Sequence, residues 1–142
     1  MAQILKQVIG HKEIIHSWLE DKKNDRLHHA ILLAGPSGIG KKKVARGFAQ
    51  ILLCERDQSG CGECPSCLRV ENGVHESMLF IPEAHGAIKV ETSGHIRDFL
   101  SLQKISKARV IIIERADLFL PAAANMILKT LEEPPEDTYF FL

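Results

Sequence analysis

Seven residues, Gly35-Pro36-Ser37-Gly38-Ile39-Gly40-Lys41, restrict this chain to folds in which a buried strand ends in a glycine-rich turn that opens a helix. The apolar run Ala30-Ile31-Leu32-Leu33-Ala34 leads in as a buried parallel strand would. A helical segment with Val44, Ala45, Phe48, Ala49, Leu52 and Leu53 leads out. Glycine has no Cβ to keep a phosphate oxygen from the backbone N–H groups, and the helix N-terminus adds partial positive charge. Residues Gly35 to Lys41 are therefore expected to cradle phosphates, with Lys41 reaching the β- and γ-groups. The bland alternative is a plain turn between strand and helix. Lys42 breaks the pattern, because a nucleotide hydrolase carries Ser or Thr there to ligate magnesium. Mg²⁺ is accordingly not expected, and ATP or ADP binding stays open.

The 142 residues suffice for one compact domain with a sizeable core. Ile14, Ile15, Trp18 and Leu19 recur at helical spacing, which predicts an amphipathic helix from Lys12 to about Lys22. Ser77 to Ile81 reads as a strand stopped by Pro82, and Glu83 to Ala87 as loop. Ile96, Phe99, Leu100 and Leu102 mark a helix begun near Thr92 or Ser93, either of which is a suitable cap. Val110-Ile111-Ile112-Ile113 has the β-branched character of a central parallel strand, buried on both faces. Pro121 opens a helix with the stripe Ala124, Ile127, Leu128 and Leu131, and Pro134-Pro135 ends it. Tyr139 to Leu142 reads as a further strand, and the chain is expected to be a fragment of a longer protein. Strands alternating with helices predict an α/β fold, a three-layer parallel sheet.

All four cysteines, Cys54, Cys61, Cys64 and Cys67, fall within fourteen residues. Four thiolates complete a tetrahedral zinc site and leave no position open for catalysis. Gly60 and Gly62 give the backbone the freedom a knuckle needs, and Pro65 is placed to start a short helix carrying Cys67. A disulfide is disfavoured in a reducing cytosol, and a redox Cys-x-x-Cys pair leaves Cys54 unexplained. An iron–sulfur run would place Cys-Pro last, whereas Cys64-Pro65 sits in the middle. Structural Zn²⁺ is the preferred reading, with iron–sulfur and unmetallated thiols as alternatives. The seven histidines show no metal spacing near these cysteines.

Charges balance at 18 against 18, so bulk electrostatics favour neither nucleic acid nor membrane. Local basic clusters remain at Lys41 to Lys43 with Arg46, and at Lys104, Lys107 and Arg109, the second read as solvated helix ends and loops. Between Glu55 and Glu71 there is no aromatic, which disfavours a zinc-dependent nucleic-acid-binding regulator. No apolar run approaches bilayer length and the N-terminus lacks signal-peptide architecture; a cytoplasmic location is expected.

His28-His29-Ala30, the phosphate loop, the Cys-x6-Cys-x2-Cys-x2-Cys run and Ala123-Ala124-Asn125-Met126-Ile127-Leu128-Lys129-Thr130-Leu131-Glu132-Glu133-Pro134-Pro135 together carry a resemblance. The chain resembles the N-terminal AAA+ module of bacterial DNA polymerase III clamp-loader subunits over essentially its whole length. The resemblance implies a partial AAA+ domain over residues 1–142, with a zinc-binding insertion at about 54–67 and the lid and collar domains outside the chain. It implies assembly with tau/gamma and delta subunits in a hetero-pentamer that acts on the sliding clamp and primed DNA. Val8-Ile9-Gly10-His11 matches the family's V-x-G-Q element beside the adenine, with His11 in place of Gln.

The family has an ATPase motor, tau/gamma, and a stator, delta-prime, that typically lacks hydrolysis. In the motor, the strand before the signature helix ends Asp-Glu: one orients magnesium, the other activates water. Counting back from Asn125 puts Glu114 and Arg115 at those positions. Glu114 keeps a carboxylate that would reach a metal, but a guanidinium stays protonated and is no base. Glu132 or Asp117 would have to substitute. The resemblance therefore points to the stator, with no catalytic residue of its own in this chain and a motor-like ATPase as the alternative. Its arginine finger would belong to a downstream Ser-Arg-Cys motif that this chain does not contain.

Overall fold

The computed structural model describes residues 2–83 and 85–142. Four parallel strands form one sheet in the order β1-β4-β3-β2: β1 Ala30–Ile31, β2 Met78–Ile81, β3 Arg109–Ile113 and β4 Thr138–Phe141. The helices are α1 Lys12–Lys23, α2 Lys41–Leu53, α3 Pro65–Glu71, α4 Val90–Ser101 and α5 Pro121–Glu132. Single 3-10 turns occupy Leu5–Gln7 and Ala116–Leu118.

Strand alternation splits the core into two layers of contact. Val110 and Ile112 of β3 pack with Phe48, Ile51 and Leu52 of α2, and Trp18 meets Phe48 edge-on at 5.5 Å. Ile111 and Ile113 face the other way, onto Ile96 of α4 and Ile127 of α5. All five residues of β3 are buried, as expected for a strand covered by helices on both sides. The three-layer α/β expectation is borne out. Within α2, every residue from Gly47 to Leu53 is buried, because the sheet, α3 and the N-terminal turn enclose it.

Several local expectations are corrected. The strand expected over Ala30 to Ala34 pairs only at Ala30 and Ile31; the ladder ends with Leu33 N–H donating to Leu142 O at 2.8 Å. Leu32 is 70% exposed because it faces the cleft described below, where no helix covers it. In α1, Ile15 is buried but Ile14 is exposed. Helix α4 starts at Val90, not near Thr92 or Ser93, and has no side-chain cap. A bridge between Ile88 and Phe119 holds the preceding segment extended, so the helix begins directly after it. Ser93 is fully buried and donates to Ala123 O at 2.7 Å, joining α4 to α5. Leu102 lies beyond α4 and is exposed. The buried row of α5 is Ala123 and Ile127, and Leu128 is exposed. Arg109 is no solvated cation either. It is buried, and its Nη1 donates to Leu100 O at 2.8 Å and Leu102 O at 3.0 Å, closing the end of α4. The loop reading holds for the described part of Glu83 to Ala87; Ala84 lies outside the described residues.

Candidate phosphate cleft and cysteine knuckle

A cleft of about 890 Å³ opens at the carboxyl ends of β1, β3 and β4. That is the position where open parallel sheets hold their ligands. Its lining brings together Val8, Ile9, Gly35, Ser37, Gly38, Ile39, Gly40, Lys41, Lys42 and Glu114. Pro36 contributes its carbonyl to the loop's internal bonding. Ile9 is 94% exposed, a hydrophobic side chain at the mouth of the cleft.

The loop is shaped by positive φ. Gly40 precedes α2 at φ 103, and a Cβ there meets nothing within 4 Å, so conformation and not crowding requires glycine. Lys41 Nζ donates to Gly35 O at 2.6 Å and to Pro36 O at 2.7 Å, folding its ammonium over the loop. Three positive-φ glycines, a lysine at the helix start and adjoining open volume fit a phosphate chain.

The magnesium side differs. Lys42 Nζ lies 3.2 Å from Glu114 Oε1 and 4.6 Å from the centroid of the Phe80 ring. Glu114 Oε2 accepts the Glu83 N–H at 2.8 Å. At the next position Arg115 has φ 58 and holds Asp117 with two bonds of 2.9 Å, while its Nη1 donates to Glu83 Oε1 at 3.1 Å. The Asp117 carboxylate, followed by Glu83, holds the Arg115 guanidinium even more firmly protonated than usual. In turn Arg115 keeps Asp117 below the ordinary carboxylate range. These residues do not fit a divalent cation: the carboxylate nearest the loop is already bonded to an ammonium. Asp117 and Glu83 line the cleft but are committed to Arg115, and Glu132 is absent from the lining. Glu83 and Phe80 escaped the sequence reading. Their signal was their place at and just past the carboxyl end of β2, the strand paired with β3, whose end carries Glu114.

The four cysteine sulfurs all lie within 4.8 Å of one another. Cys54 to Cys61 and Cys61 to Cys67 are 3.8 and 3.9 Å apart. A tetrahedron with metal–sulfur bonds of about 2.3 Å has edges of about 3.8 Å, so the set fits a zinc-sized ion. As expected, Pro65 starts α3, which carries Cys67. Backbone N–H groups of Cys64 and Cys67 each approach the preceding knuckle sulfur at 3.4 Å. Burial pushes the Cys54 thiol up, but N–H groups of Cys61, Asp57 and Arg56 outweigh it and bring its pKa to about 6. Cys64 is lowered by the same kind of balance. Cys67 is raised, first by burial and then by its neighbouring sulfurs. Such a set shares its charge most comfortably with a cation.

Two buried polar residues anchor the knuckle. Gln50 accepts the Ile4 N–H at 3.4 Å and donates to Cys67 O at 3.3 Å. Ser66 donates to Leu53 O at 2.6 Å and sits 2.7 Å from His75 Nε2. A Cβ on Gly60 would approach that of Ala2 to 2.7 Å, so glycine lets the knuckle close on the N-terminal segment.

The sequence model of the family described as "DNA polymerase III, delta subunit" matches residues 10–142. The chain belongs to that family. It is 35% identical over 138 residues to DNA polymerase III subunit tau/gamma of Haemophilus influenzae, covering 95% of this chain and 20% of the relative. Against subunit delta' of Pseudomonas aeruginosa it is 37% identical over 120 residues, 80% of this chain and 36% of the relative. The chain thus spans about a fifth to two fifths of the curated relatives it matches. The crystal structure of a DNA polymerase III gamma subunit-related protein from Thermotoga maritima superimposes with a TM-score of 0.59 at 21% identity, over 88% of this chain and 38% of that one. That likeness concerns the fold. The family resemblance read from the loop and signature helix is borne out, and among the described residues no helix is long and apolar enough to cross a membrane.

Proposed function

We propose that this chain is the phosphate-loop module of a delta-prime-type stator subunit of the bacterial DNA polymerase III clamp loader. It would support ATP-dependent loading of the sliding clamp on primed DNA without hydrolysing ATP itself. Residues 1–142 form part of its AAA+ domain, and the knuckle at about 54–67 holds structural zinc. Tau/gamma and delta subunits are its partners in the pentamer.

Arg115 carries the assignment. It stands at the position of the water-activating carboxylate, with its guanidinium bonded to Asp117 and Glu83. A guanidinium accepts no proton from water, and here it also engages the two nearest replacement carboxylates. The Lys42–Glu114 pair supports the same reading on the magnesium side.

A motor-type ATPase is the second reading. It is favoured by tau and gamma relatives aligned to 95–99% of this chain. Steady-state ATP turnover by the full-length subunit separates the two. The stator shows no magnesium-dependent turnover above that of Lys41→Ala, whereas turnover abolished by that substitution sinks the assignment.

A further inference from the structure

The Lys42 ammonium lies between the phosphate loop and the end of β3, 3.2 Å from Glu114 Oε1 and against the Phe80 ring. Both Glu114 oxygens are engaged, one by Lys42 and the other by the Glu83 N–H at 2.8 Å. In a magnesium-dependent site, a hydroxyl on the helix and a carboxylate on this strand hold the cation between them. Here the helix residue supplies the cation itself, and the carboxylate anchors it. The cradle beside it keeps its open glycines Gly38 and Gly40, its Lys41, and a cleft of about 890 Å³ leading toward Val8 and Ile9.

We propose that the cleft binds a nucleoside di- or triphosphate without a divalent cation, the Lys42 ammonium docked on Glu114 supplying the countercharge. Lys41 and Lys42 neutralise the phosphate chain from its two sides, and the apolar mouth at Val8 and Ile9 receives the base. A divalent ion added to the complex would compete with an ammonium for one carboxylate, so magnesium weakens binding or leaves it unchanged. The proposal rests on the phosphate-loop reading above, but not on the absence of turnover.

Calorimetric titration of the full-length protein with ATP, ADP and tripolyphosphate, in excess magnesium and in excess EDTA, tests it. ATP and ADP are expected to bind in EDTA at least as tightly as in magnesium, and Lys42→Ala is expected to weaken that binding about tenfold or more. Glu114→Gln frees the ammonium and should hold or improve the EDTA affinity. Joint Lys42→Thr and Glu114→Asp replacement should make magnesium strengthen ATP binding about tenfold. Binding seen only with magnesium, or no binding in either condition, overturns the proposal. Tripolyphosphate binding as tight as ATP overturns its nucleoside part. Turnover is scored separately: Lys41-dependent hydrolysis overturns the stator assignment, and missing nucleotide binding without hydrolysis overturns only the present inference.

Discussion

Gly47 and Leu5 compete for one volume: a Cβ on Gly47 would lie 2.5 Å from Leu5 Cγ and Cδ2. Leu5 belongs to the N-terminal turn that hands the chain on to Gln7, Val8 and Ile9 at the cleft. Gly47→Ala gains helix propensity of about 0.5–1 kcal/mol, but overpacking at a buried contact costs about 1–3 kcal/mol. The expected result is net destabilisation, read as a lower urea midpoint with an unchanged m-value. Combined with Leu5→Ala, the total loss should be smaller than the sum of the two single losses, a non-additivity that independent sites would not give.

The knuckle is expected to hold about one zinc per chain by atomic absorption of the full-length protein. Cys67→Ser should release it and lower the melting temperature by about 5 °C or more, because Cys67 is buried beside Gln50. Full zinc retention in that variant, or an unchanged melting temperature, would count against a structural metal.

His75 should make stability pH-dependent. Its ring is buried, Nδ1 accepts the Ser77 N–H at 3.0 Å, and Nε2 meets Ser66 Oγ at 2.7 Å, which describes a neutral ring with its proton on Nε2. Burial holds its pKa below the ordinary 6.5. As pH falls, the unfolded chain therefore takes up the proton first. The contribution of His75 is fully present above about pH 6.5 and declines below it, until the folded-state pKa is passed. Cys54 and Cys64, whose thiols are lowered, act in the same direction, so the informative quantity is the stability gap between wild type and His75→Gln. That gap should narrow between about pH 7.5 and 5. A constant gap would show that His75 has the same pKa folded and unfolded.

Ser93 and Thr92 distinguish an interhelical bond from a cap. Ser93→Ala leaves the Ala123 carbonyl without its buried donor and should cost about 1–2 kcal/mol. Thr92→Ala removes no assigned hydrogen bond and should stay within about 0.5 kcal/mol. Equal losses on denaturant unfolding would return the capping role to Thr92.

The same residues show what sequence patterns reveal. Helix α2 and strand β3 were legible because enclosure leaves them little choice but apolar side chains. The cysteines were legible because close spacing fixes their geometry. The start of α4 was not, since a bridge between Ile88 and Phe119 sets it and no capping residue does. Arg109 read as solvent-facing because composition does not show that the carbonyls at the end of α4 lie beside it. At the cleft, Lys42 and Arg115 stood out from the family's pattern by residue type alone. Their partners, Glu114 for one and Glu83 for the other, depend on strand ends that only the folded sheet brings side by side.

Lys41 adds one consequence for any anion that arrives. Its ammonium already satisfies two loop carbonyls. A phosphate oxygen must displace those acceptors instead of meeting a bare charge, so its enthalpic reward is the difference between two bonded states. Lys41 thereby braces the loop in its cradle form through those two carbonyls, and under the proposed reading phosphate binding becomes an exchange of acceptors.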